Sequence, residues 1–201
     1  MNRSAISFPI HALFMVGALL ITCTLIPRYA RAADANASTA SVDKLLDQAR
    51  FQAYRLDVDA DDMTSLLRSE VGWQSKADDL TRIKWHVNDL GKLLAELQSS
   101  RVDASPWQKE AIDRMVPLLR EVAAITTDEI DFLNAHQNWP NTPEYSKWAN
   151  ENFTASHELA DLISETVQYG RDRADSAQMA ADLHLQTRAS SSSRSGQYAK
   201  Q

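Results

Sequence analysis

The chain has 201 residues, enough for one domain or a small pair, and 44% of them are hydrophobic against only 5 Gly and 6 Pro. Few breakers among many apolar residues exclude a turn-rich β fold and favour long helices. A net charge of −6 argues against nucleic acid or an anionic membrane as partner, and the single cysteine, Cys23, excludes an intrachain disulfide.

The first 32 residues read as a signal peptide. Arg3 supplies the positive start, residues 13–26 are almost wholly apolar, Pro27 ends that run, and Ala30-Arg31-Ala32 is the small-x-small pattern of a cleavage site. The run is shorter than the roughly 20 residues a membrane-spanning helix needs. A periplasmic or secreted protein is therefore expected, touching a membrane only through the leader if that is kept. Lipidation at Cys23 is disfavoured, because Thr22 suits poorly the position before a lipidated cysteine. Removing the leader's three arginines from 21 basic residues leaves 18 against 27 acidic ones, a mature charge of −9, with no cysteine. A cysteine-free chain suits an oxidising compartment.

Residues 33–41 are small and polar and read as a linker. Residues 42–185 then show four helical segments, each with apolar or small residues at steps of three and four, the mark of a buried seam. The first seam is Leu46, Ala49, Ala53, Leu56, Ala60, Met63 and Leu67. The second is Leu80, Ile83, Val87, Leu90, Leu94 and Leu97. The third runs Ile112, Val116, Leu119, Ala123, Thr126, Ile130, Leu133, and the fourth Trp148, Asn152, Ala155, Leu159, Leu162, Thr166, Tyr169. Starts are marked by Ser105-Pro106-Trp107-Gln108, by Thr142-Pro143 and, more weakly, by Ser75 with Asp78 after Gly72. Short connections force neighbouring helices antiparallel. The expected fold is all-α: an antiparallel up-down bundle of four long helices with coiled-coil-like seams. The last helix turns polar after Gly170 and is expected to project beyond the others. Residues 186–201, Ser-rich, read as a disordered tail.

Chemical signatures fail one by one. Asp57-Val58-Asp59-Ala60-Asp61 opens like a calcium loop, but the sharp-turn Gly and the terminal Glu are replaced by Asp62 and Arg68. His157-Glu158 opens like a zinc-protease motif, but Asp161 stands where the second imidazole belongs. None of His86, His136, His157 and His184 has Glu three residues before it, as a di-iron site needs. Covalent haem lacks its Cys-x-x-Cys-His. Non-covalent haem needs only a His or Met pair inside the helices. His86 and His157 fall at similar depth on diagonally opposed helices, although both stand beside their seams. Met63 and Met115 are core filler near opposite ends. No nucleophile elbow and no phosphate-binding glycine loop occurs.

Aromatic residues are the remaining signal. Trp73 lies in the first turn and Trp139 in the third, with His136, Tyr145 and Trp148 close by. An up-down arrangement puts both turns at one pole. The aromatic residues there either cap the core or form a docking site for a small ligand or partner. Trp107 at the opposite turn favours the cap.

Residues 75–101, with Leu80-Thr81-Arg82-Ile83-Lys84-Trp85-His86-Val87-Asn88, and Ala104-Ser105-Pro106-Trp107-Gln108-Lys109-Glu110-Ala111-Ile112-Asp113-Arg114 carry a resemblance. The chain resembles uncharacterised exported four-helix-bundle proteins of bacteria, of acidobacterial type. That resemblance implies a class and a compartment and no activity, cofactor or catalytic residue. The expected function is a non-enzymatic binding or structural module of the cell envelope, with no catalytic residue and no cofactor. Its partner would be an envelope protein or a second copy. The alternatives are a haem or metal carrier using His86 and His157, and a ligand-sensing bundle using the aromatic pole.

Overall fold

A computed structural model of the chain describes the backbone of residues 28–69, 71–138 and 141–198, with side chains described between 39 and 184. It is all-helical, with α1 Arg28–Leu66, α2 Trp73–Ser99, α3 Pro106–Ala135 and α4 Pro143–Tyr198, and one short 3-10 turn, Ser100–Val102, before α3. Most of the signal peptide expected over 1–32 lies outside the described residues. Among the described residues no helix is long and apolar enough to cross a membrane.

α1 packs between α2 and α4, and α3 packs between the same two, so the chain runs round a square. Neighbours run in opposite senses. Asp47 of α1 meets Arg171 of α4 while Asp57 meets His157. Gln52 of α1 meets His86 of α2 while Asp59 meets Arg82. The core is the axis of this square. Leu46, Leu56, Leu80, Ile83, Leu90, Leu97, Ile112, Met115 and Leu159 are all at most 2% exposed. Each such side chain taken out of water stabilises the fold by about 1.5–3 kcal/mol.

The starts of α3 and α4 follow the sequence. Ser105 stands at the N-cap position of α3, Pro106 opens the helix, and the Ser105 backbone N–H donates to Gln108 Oε1 at 2.7 Å. The Tyr145 backbone N–H donates to Thr142 Oγ1 at 3.1 Å, filling one of the orphaned donors at the start of α4. The start of α2 differs from the expected Ser75: the helix begins at Trp73, with Gly72 as its cap. Lys76, four residues before Leu80 and seven before Ile83, falls on the seam of this helix.

Two further differences concern helix length. α1 is helical from Arg28, through the stretch read as a linker, because alanine is the best helix former and neither Gly nor Pro interrupts 28–41. α4 is helical through 186–198, the stretch read as a disordered tail; no proline follows Pro143 to stop it. Every residue from 171 to 184 is exposed, so α4 leaves the core just after Val167 and Gly170, as its polar composition predicts.

On α3 the buried face is rotated from the expected seam. Val116, Ala123 and Ile130 are half-buried, while Ala111, Met115, Val122, Glu129 and Phe132 are buried. On α4 Tyr145, Ala149, Ser156, Ile163 and Val167 join the core, and Tyr169 is 48% exposed.

Candidate functional site at the turn pole

Both turns fall at one end, as expected of antiparallel helices. Met63 from the end of α1, Lys76 from the start of α2, Phe132 from the end of α3 and Tyr145 from the start of α4 meet there. The Tyr145 phenol donates to Met63 Sδ at 3.2 Å. Lys76 Nζ lies 4.7 Å from the Tyr145 ring centroid and donates to Asn141 Oδ1 at 2.6 Å. Phe132 contacts Tyr145 and meets Trp148 in a T-shaped arrangement, with centroids 6.0 and 5.2 Å away.

The predicted aromatic residues therefore divide. Tyr145 is fully buried, and Trp148 and Trp73 are partly buried against the core. Their rings close the end of the helical interior. His136 is the C-cap of α3 and is exposed; its ring stacks on Phe132 at 4.0 Å, with Nδ1 2.9 Å from the Phe132 carbonyl oxygen. Trp139 lies outside the described residues.

The pole also holds polar groups that sequence reasoning missed. Glu129 is 0% exposed and Lys76 only 1%. Asn152 Nδ2 donates to Glu129 Oε2 and, at 3.0 Å, to Thr126 Oγ1. Ser156 Oγ donates to Asn152 Oδ1 at 3.1 Å. Glu129 Oε1 has no hydrogen-bond partner. Burial pushes the Glu129 carboxyl up to about 7, offset only in part by the Asn152 bond. Burial, with the Glu129 and Asp79 carboxylates nearby, pushes the Tyr145 phenol far up, so it stays protonated. Burial also lowers the Lys76 amine. The signal for both missed residues was spacing: Glu129 stands three after Thr126 and four before Leu133, and Lys76 four before Leu80.

His86 and His157 are not brought together. Each turns toward α1, on opposite flanks of it. His86 Nδ1 lies 2.9 Å from Gln52 Oε1 and its Nε2 3.2 Å from Asp59 Oδ2. Asp59 is shared with Arg82, which also bonds Asp79. Burial raises the Asp79 carboxyl, against the pull of Arg82. His157 is exposed, with Nδ1 3.2 Å from Asp57 and Nε2 3.5 Å from Asp161. All four ring nitrogens thus face side-chain oxygens, and the expected diagonal pair does not line a shared space. Asp57 and Asp59 point to opposite sides because two residues span about 200° of a helix. Among the described residues no group of three or more His, Cys, Asp and Glu side chains is placed to hold a metal ion.

The chain matches no protein-family model, no curated protein and no solved structure.

Proposed function

We propose that the chain is an exported, non-enzymatic antiparallel four-helix bundle that serves as a binding or structural module of the cell envelope. The observation that carries this reading is the projecting part of α4. Val167 is its last core residue, and the helix continues to Tyr198. The 27 residues beyond Arg171, which still bonds Asp47, make an arm of about 40 Å at 1.5 Å per residue. Its side chains from 172 to 184 are all exposed, and it is suited to reaching a second molecule. Met179, 66% exposed, gives it an apolar contact point. The polar clusters described above stabilise or tune the helices; none pairs an activated nucleophile with a base.

The test places a photo-crosslinking residue at Met179 in full-length protein expressed in a bacterial host. The reading expects intact-mass analysis of envelope material to begin at Ala33, and expects one discrete adduct, either with a second copy or with an envelope protein. Uncleaved protein that stays in the cytoplasm, or no adduct from the arm, would overturn it. So would a turnover abolished by one polar substitution.

A further inference from the structure

Glu129 sits in a site that disfavours the charged form of its carboxyl. Asn152 gives its carboxyl one hydrogen bond, to Oε2, and Asn152's remaining capacity goes to Thr126 and Ser156. Oε1 is buried with no partner, and among the described residues no Lys, Arg or His forms an ion pair with Glu129. A carboxylate in that position is an uncompensated buried charge, whereas the acid form carries no charge and leaves only a neutral group at Oε1 without a partner, a smaller cost.

The other ionisable groups at this end do not neutralise it. Tyr145 of α4 is held as a phenol and its O–H donates a hydrogen bond to Met63 Sδ of α1. On α2, Lys76 is directed to Asn141 and the Tyr145 ring, and Asp79 to Arg82. Asp59 and Asp62 of α1 lie beyond Asp79 and add negative charge.

We propose that Glu129 is a proton-operated switch in the α3–α4 seam: with the proton bound the turn pole stays closed, and with the proton lost the buried charge is relieved by loosening α3 from α4. The burial-raised carboxyl, at about 7, sets the switch near neutral pH. The folded state holds this proton more tightly than the unfolded chain does. The stabilisation is therefore fully present below the unfolded value of about 4.5 and is lost as pH rises through about 7.

The experiment compares the full chain with Glu129→Gln by chemical denaturation from about pH 4.5 to about pH 8. The wild-type folding equilibrium constant is expected to fall relative to the variant by on the order of 100-fold across that window. Amide exchange over 126–133 and 145–156, corrected for intrinsic rates, is expected to rise in the wild type alone. A constant ratio would overturn the proposal. A carbon NMR titration of Glu129 in the wild-type chain covers the case in which the variant does not fold. A midpoint between about 6 and about 8 supports the switch, and one in the ordinary carboxylate range, near about 4, overturns it.

Discussion

Gly170 lies where α4 passes Trp107, and a methyl group built there would stand 2.9 Å from the indole Cη2. The indole is itself held edge-on by Tyr169, 5.4 Å away, and has only two torsions with which to retreat. Gly170→Ala should therefore lower stability by about 1 kcal/mol, overpacking outweighing the gain in helix propensity. The check is a double-mutant cycle. In a Trp107→Leu background the same change should become stabilising by about 0.5–1 kcal/mol. A gain in the wild-type background would show that the indole does not rest on Gly170. This contact was half legible. Gly170 marks the point where the seam turns polar, but nothing in the sequence tells which side chain fills the notch it leaves. Glu129 and Lys76 were illegible for another reason. At helical spacing they continue their seams, yet charged residues are so rarely buried that spacing alone does not outweigh the desolvation cost. The meeting with Asn152, and with Asn141 and Tyr145, contributes to making the burial tolerable. Asn152 and Thr126 stood on their predicted seams because a neutral polar group meets a smaller objection.

At the scale of the helix, α1 is set apart by its small seam residues. Ala49, Ala53 and Ala60 are at most 1% exposed, which lets α2 and α4 approach the α1 backbone closely. Ala53→Leu should cost about 1–3 kcal/mol by overpacking, read as a lower denaturation midpoint with unchanged helical circular dichroism. An unchanged midpoint would mean that the alanine stripe faces slack space. The start of α4 offers a separate measurement. Thr142→Ala removes the acceptor of the Tyr145 N–H and should cost about 1 kcal/mol. An equal loss from Thr142→Ser, which keeps the hydroxyl, would show that the threonine methyl and not the cap matters. The four helices, their order and the seams of α1 and α2 could be read from periodicity. The rotation of α3 could not, because its two candidate faces are both apolar. Val116, Ala123 and Ile130 compete with Met115, Val122 and Phe132, and the choice is made by neighbours that only the fold supplies.

For the whole molecule, the first and last helices pack directly against each other. Arg171 bonds Asp47 across 124 residues, and His157 pairs with Asp57 across 100. Closing so long a loop is entropically costly until the apolar faces meet. A chain stopped at residue 138, before α4, leaves Leu46, Ala49, Ala53 and Leu56 with part of their cover missing. Such a fragment should show no cooperative thermal transition; a sharp one would mean that three helices suffice.

That closure also sets an order in time. During synthesis the face of α1 is made first and sealed last, only after about 120 further residues have been added. For that interval the α4-facing sides of α1 and α3 both stand open, and that of α1 waits the longer. A chaperone that holds nascent chains is expected to bind there and to be released when α4 arrives.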